Sequence, residues 1–517
     1  MSPQRTVEPF AANELISLPT KLAALLIFIV AIFYNFSIYF VHDNDWILYM
    51  ARQSFEGKKA YVDYYELNPP LIIWLNIPAV TLAKLTGVSL ATALKIYIFS
   101  MITLVLLLTQ KLIERCKPPA PQALFLALTF VLTILPAEQF GQREHFMLIL
   151  LIPYIFLIAA RAKKIKFTKS WVITSAVCAA IAICIKPYFV LIPAFCELYL
   201  LYLLGSQTFK RTEPYIMVVI GLTYLASIFI LTPEYISVII KHVRVVYQAG
   251  IGTTQQVMAT TLVPSAMALA FALIANIYLK VKFRDVSPVY IVIFLVALAN
   301  FVIFMVQFKG WPNHIYPLHA LAITLVVILL MRLCVFYKRS PQLIIAVLGV
   351  SFILPLYGMS IYRIPMVKPY SNFTEYFEQR IKEFEENNPE DERNVESVLV
   401  ISALIQTGFP LVNESGLDWG SRLPSMWMTP GIQKLKRSGN LSREVLESEA
   451  FSQTTVGQDL ATRKPDLVFV HISKNKQFFG FPYDYIEDYS QNETFLAAWS
   501  AYEFVTSDNA FALYRRR

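Results

Sequence analysis

Residues 22–45 read LAALLIFIVAIFYNFSIYFVHDND. The first twenty of them, 22–41, carry no charge, and about twenty apolar residues suffice for an α-helix to cross a hydrocarbon core of ~30 Å. The apolar run then stops at His42-Asp43-Asn44-Asp45. Two carboxylates stand where a span would leave the bilayer, so the first question is which side they face.

The composition supports a membrane reading. Of 517 residues, 56% are hydrophobic and 16% charged, against about 25% charged in soluble domains. That excludes an ordinary cytosolic enzyme, and 37 Phe with 28 Tyr exclude a disordered chain. Further apolar stretches lie near 91–112, 121–137, 144–160, 170–186, 187–205, 214–232, 262–280, 287–306, 315–335 and 342–362, which with 22–41 makes eleven expected spans. Threaded alternately, they put every basic cluster on one side: Arg115/Lys117, the run 161–169, Lys210/Arg211, Lys280/Lys282/Arg284 and Arg332/Lys338/Arg339. The positive-inside rule makes that side cytoplasmic. The first span then reads as a signal anchor with a cytoplasmic segment 1–21 before it. Residues 69–87 are apolar too, but counting them as a span would turn the basic loops outward. They are expected to form an interfacial helix, after a short amphipathic helix over 45–56 that Gly57 ends.

The net charge of +9 divides unevenly. From Arg363 onward there are 17 Lys+Arg against 22 Asp+Glu, leaving 28 against 14 before it. The basic surplus therefore belongs to the membrane part, and no nucleic-acid partner is indicated. The polar tail, 363–517, has helical periodicity at 373–386, 441–461 and 484–502, with β-type runs at 397–402, 466–471 and 503–514. We expect an all-α polytopic membrane domain over 22–362 and a small extracytoplasmic α/β domain over 363–517. All five cysteines precede residue 340, so no disulfide framework staples the tail.

The outer turns gather the ionisable groups. Asp43, Asp45, Glu56, Asp63 and Glu66 fall in the first outer loop. The motif Gly141-Gln142-Arg143-Glu144-His145 makes the second outer turn, Lys186 lies between two spans, and Lys309-Gly310-Trp311-Pro312-Asn313-His314-Ile315-Tyr316-Pro317 enters the tenth span. Such groups are expensive at a membrane, so their gathering on one face points to a polar cavity. A carboxylate there can act as general base toward an acceptor hydroxyl, or ligate a metal. Arg and Lys can hold a phosphate. Structural roles compete: Asp43 or Asp45 as N-cap, Arg143 as headgroup anchor, Trp311 and Tyr316 as belt residues. Only Glu197 falls near mid-membrane, where it needs a partner. No HExxH, paired-Cys, P-loop or GxGxxG pattern occurs, so a transition-metal site and nucleotide-driven transport are not signalled.

The segment HDNDWILYMARQSFEGKKAYVDYYELNPPLIIWL (42–75) resembles the first outer loop of GT-C membrane glycosyltransferases, among them bacterial lipid A aminoarabinose transferase and the protein O-mannosyltransferases. GQREH, IKPYF and KGWPNHIYP resemble further blocks of a bacterial branch. The resemblance implies a GT-C fold and transfer of a sugar from a polyprenyl-phosphate donor, at the outer face, to a lipid, polysaccharide or protein acceptor. It makes Asp43 the match to the catalytic aspartate, with Asp45 competing, and leaves a divalent ion open. Glu144 joins them as a candidate catalytic residue. Arg143, His145, Lys186, Lys309 and His314 are candidate donor-phosphate ligands, and Tyr61, Glu66, Trp311 and Tyr316 candidate positioning residues. The expected protein is an inverting glycosyltransferase of a bacterial inner membrane, active on the periplasmic side. A flippase of lipid-linked saccharides, or a sensor using the tail, are the rivals.

Overall fold

A computed structural model describes residues 16–250, 254–283, 287–309, 311–338, 373–388 and 394–517. The expected eleventh span, 342–362, and the boundary at 362/363 lie outside those residues. Before the tail the helices are α1 Leu18–Phe36, α2 His42–Phe55, α3 Leu71–Thr86, α4 Leu90–Cys116, α5 Pro121–Thr133, α6 Arg143–Ala162, α7 Lys169–Cys184, α8 Leu191–Leu204, α9 Glu213–Leu231, α10 Lys241–Gly250, α11 Thr254–Phe283, α12 Pro288–Gln307 and α13 Pro312–Phe336. Each of the ten other expected spans coincides with one of them. Eight helical stretches among the described residues are long and apolar enough to cross a membrane: α1, α4, α6, Pro187–Lys210 around α8, α9, α11, α12 and α13. The remaining two, α5 and α7, are apolar but only 13 and 16 residues long. Helix α3, expected at the interface, also has 16, so length alone does not separate it from α7.

The chain folds as two compact units. The first takes its described residues from Met1–Ser37, Ile98–Tyr224 and Gln255–Tyr362. Its centre is α6, which packs on α7, α8, α12 and α13. Of the spanning window of α6, 83% is buried, as expected of a helix apolar all round. By contrast α1 and α11 have 22% of their windows buried and display Leu22, Leu26, Phe33, Val263 and Ile274, faces that suit lipid. Polar residues fasten this layer from within: Asn35 on α1 donates to the Thr133 carbonyl of α5 at 3.1 Å.

The second unit comprises the described residues of Ile38–Tyr97, Leu225–Thr254 and Arg363–Arg517. Compactness thus groups the first loop with the tail, whereas sequence grammar divides the chain near 363. The tail runs α14 (373–387), β1 Ser397–Ile401, α15 Leu411–Glu414, β2 Asp418–Trp419, α16 Met428–Arg437, α17 Arg443–Arg463, β3 Leu467–His471, α18 Tyr485–Tyr489, α19 Glu493–Trp499, β4 Tyr502–Ser507 and β5 Phe511–Arg516. Its sheet has the order β2-β1-β3-β5-β4, with β1 parallel to β2 and β3, and β5 antiparallel to β3 and β4. Val400 pairs with Phe469, and Phe469 with Leu513. Phe377 of α14 covers the sheet, its ring 4.9 Å from Phe469 and 5.0 Å from Phe511.

Two expected tail elements are subdivided. The helical stretch 484–502 is α18 and α19, because Asn492 accepts from the Phe495 N–H at 3.2 Å and starts a new helix. The β run 503–514 is a hairpin, because Asp508 accepts from the Ala510 and Phe511 N–H groups at 2.7 and 2.8 Å and turns the chain.

The first loop is built into this second unit. Trp46 and Tyr49 of α2 pack on Phe409, which packs on Trp419. Tyr65 N–H donates to the Arg422 carbonyl at 2.7 Å, and Arg52 meets Asp418 at 3.2 Å.

Candidate functional site

Within the first unit the motifs around residues 141–145, 186 and 313–314 converge on Glu144. Gly141, at φ +83°, turns the chain so that α6 starts at Arg143 and its first residues point inward. Glu144 Oε1 accepts from Lys186 Nζ at 2.5 Å, and Oε2 accepts from Asn313 Nδ2 at 2.9 Å. His314 Nε2 lies 3.4 Å from Lys186 Nζ and 3.8 Å from Glu144 Oε1. Glu144, Lys186, His314 and Arg143 are all buried. Lys309 is half-buried, and that burial, with Lys186 and Arg143 near it, brings its ammonium down to about 8. Lys186, His314 and Arg143 thus gather about one buried carboxylate, with Lys309 close to Lys186 and Arg143. Cations held together in this way can bind a phosphate. His314 Nδ1 is buried without a hydrogen-bond partner, so one polar atom there still needs one.

Two other residues expected in this cluster have different employment. His145 Nδ1 accepts from the Gly141 N–H at 3.0 Å, and Nε2 meets the Leu132 carbonyl at 2.8 Å. A carbonyl only accepts, so Nε2 carries the proton and the ring is neutral. His145 therefore fastens backbone, with both ring nitrogens engaged. Tyr316 donates its hydroxyl to the Val131 carbonyl at 2.7 Å and sets its ring edge-on to His145, so it positions helices. Trp311 is the residue before α13, in extended backbone, and is half-buried.

In the second unit, α2 is capped by Val41 with no side-chain cap bond, and Asp43 and Asp45 lie in its first turn. The expected capping by an aspartate is therefore absent, although the helix dipole still favours carboxylates there. The two aspartates differ. Asp43 is partly exposed, with its Oδ1 3.5 Å from His42 Nε2. Asp45 is buried, where Asn413 Nδ2 donates to its backbone carbonyl at 2.8 Å and to Oδ1 at 3.4 Å. Burial holds the Asp45 carboxyl well above the usual range; the Asn413 bond and Lys95 offset this only in part. Such burial disfavours the charged form that a general base needs.

The two expected positioning residues of this loop are tied up within it. Glu66 accepts from Trp46 Nε1 at 3.0 Å, from Asn68 N–H at 2.9 Å and from the Asn68 amide. Tyr61, at φ +63°, donates its hydroxyl to the Asn68 carbonyl at 2.6 Å and packs on Tyr235. Both shape the loop. Among the described residues no group of three or more His, Cys, Asp or Glu side chains is placed to hold a metal ion.

No protein-family model and no curated protein sequence matches the chain. Solved structures do. ArnT from Cupriavidus metallidurans, crystallised bound to undecaprenyl phosphate, matches over 96% of this chain and 97% of that one, with a TM-score of 0.53 and 12% sequence identity. The chain has a GT-C-type fold.

Within this GT-C fold, several partners were not singled out in the sequence. Asn313 closes the far side of Glu144, and its motif position beside His314 was the available signal. Asn413 holds Asp45 from 368 residues away, and nothing local marks it. Lys95 sits in an apolar stretch of α4 and donates to the Ile38 carbonyl at 2.8 Å. Glu197 has the partner it needed: Arg211 pairs with it, and Tyr154 donates to it at 3.2 Å. Arg211 and Arg161 also bind Glu213, at 3.1 and 2.9 Å, making a network of two cations and two anions.

Proposed function

We propose that this protein is a membrane glycosyltransferase that moves a sugar from a polyprenyl-phosphate donor to an acceptor hydroxyl at the outer face of a bacterial inner membrane. The observation that carries the reading is the buried cation cluster around Glu144, on a fold shared with a protein crystallised with undecaprenyl phosphate. Arg143, Lys186 and Lys309, with His314, would hold the donor phosphate. As the bond from the anomeric carbon to the phosphate oxygen breaks, negative charge grows on that oxygen, and fixed cations in a dry site lower the barrier. Glu144 would act as a positioning residue, holding Lys186 and Asn313.

Asp43 would be the general base. It takes the acceptor's hydroxyl proton, the oxygen attacks the anomeric carbon, and polyprenyl phosphate leaves with the bonding pair. A single displacement of this kind inverts the anomeric centre. The greater exposure of Asp43, and the burial that pushes the Asp45 carboxyl upward, support that choice. The alternation of basic loops supports outer-face chemistry.

The test is transfer of label from a radiolabelled undecaprenyl-phosphate sugar in membranes containing the protein. Label should pass to a non-prenyl product and undecaprenyl phosphate should accumulate. Passage of the intact labelled lipid across the bilayer with no product would overturn the reading in favour of a flippase.

A further inference from the structure

The second unit holds a cleft of about 450 Å³ that none of these roles uses. Its lining comes from α10 and α17, with Tyr65 of the first loop and Arg422 before α16. We propose that this cleft binds an uncharged saccharide unit of the acceptor; its assignment to the acceptor rests on the transferase reading, whereas its saccharide chemistry does not.

The cleft has an aromatic wall. The His242 ring stacks on Phe451 with centroids 4.2 Å apart and planes 16° from parallel, and Tyr65 continues the wall 5.5 Å from Phe451. Aromatic faces take up the C–H faces of a pyranose, while polar groups beside them take its hydroxyls.

Those polar groups are held ready. Ser448 donates its one hydroxyl proton to the Glu444 carbonyl at 2.8 Å, so toward His242, 2.9 Å away, it accepts. His242 Nδ1 then carries the ring proton, and Nε2 is an acceptor. Burial, with Lys241 beside it, lowers the His242 imidazole to about 4 and keeps it neutral. Gln458 offers its Oε1 to Arg422 Nη2 at 2.8 Å, which leaves its amide N–H groups as donors. A sugar hydroxyl, at once donor and acceptor, matches that pair.

The charge balance argues for a neutral ligand. Lys241 is paired with Glu447 at 2.8 Å. Arg422 is spent on Asp459 at 2.7 Å, the Tyr65 hydroxyl at 3.3 Å and the Thr455 carbonyl at 3.4 Å. An anion would have to break one of these pairs, so this cleft differs in kind from the cation-rich cluster of the first unit.

The test uses the full chain in lipid nanodiscs and ligand-observed saturation-transfer NMR with methyl α-glucoside, methyl α-galactoside, methyl α-mannoside and sodium glucuronate, beside a separate undecaprenyl-phosphate binding assay. At least one neutral glycoside should give a signal exceeding that of glucuronate. That signal should fall at least fivefold in Ala450→Trp, which fills the cleft without removing any partner, and in Phe451→Ala, with undecaprenyl-phosphate binding unchanged. Silence of all neutral glycosides, a stronger glucuronate signal, or an undiminished signal in Ala450→Trp would overturn the saccharide site while leaving the donor reading intact. Glycoside binding without any undecaprenyl-phosphate binding would overturn the donor reading and keep the cleft.

Discussion

Lys186 donates to Glu144 at 2.5 Å in a buried setting that also holds Arg143 and His314. The pair therefore does two things: it neutralises one carboxylate, and it fixes one ammonium among the other positive groups.

Removing one partner should separate those effects. Lys186→Met takes from buried Glu144 the ammonium that Oε1 accepts from and leaves Asn313 on Oε2, a loss on the order of 3–5 kcal/mol, read as a lowered Tm in detergent. The double variant Lys186→Met/Glu144→Gln should recover at least half of that drop. Donor binding should stay lost in both. Recovery of binding along with stability would mean that Lys186 is only structural.

The aspartates of α2 should behave differently. Asp43→Asn is expected to lower transfer by roughly 10²–10⁴, the usual worth of a general base, with protein still reaching the membrane. Asp45→Asn should cost far less, since burial disfavours the charged form of that carboxyl. The measurement is transfer from labelled donor in membranes matched for protein level. The reverse ranking would reassign the base to Asp45.

Lys309 should give donor affinity a pH limb. Its folded value of about 8 lies below the ordinary 10.5, so the ammonium is present below pH ~8 and lost above it. Undecaprenyl-phosphate binding should weaken between pH 7 and 9.5, and Lys309→Arg should flatten that limb because a guanidinium stays charged. Stability runs the opposite way. A depressed lysine penalises the folded state while charged, and the penalty lifts as pH rises from about 8 toward 10.5. An identical limb in Lys309→Arg would place its origin elsewhere.

Gly457 sits where α17 meets α19. A Cβ there would lie 2.6 Å from the Phe495 backbone nitrogen and 2.8 Å from the Thr494 carbonyl carbon, and backbone cannot swing aside. Gly457→Ala should cost about 1–3 kcal/mol by overpacking, read as a lower Tm with donor binding unchanged. An unaltered Tm would show that the two helices separate easily.

What the sequence determined by itself is whatever depends on neighbours along the chain. Hydropathy marked ten of the helices, because a segment that must satisfy its own backbone in lipid announces itself over about twenty residues. The β runs 397–402 and 466–471 were likewise legible, whereas the breaks at Asn492 and Asp508 depended on single side chains bonding nearby N–H groups. Which charges would meet was not legible. Glu144 finds Lys186 42 residues on and Asn313 169 residues on, and Asp45 finds Asn413 368 residues on. The motifs around residues 144, 186 and 314 supplied side chains that meet around Glu144, but His145, one residue from Glu144, was drawn instead to the Gly141 and Leu132 backbone. Adjacent residues on a helix point about 100° apart, so tertiary packing alone decided which of the two entered the cluster. Burial decided the rest: Asp43 and Asp45 are chemically identical, and only the folded environment leaves one partly exposed and buries the other where its charged form is disfavoured.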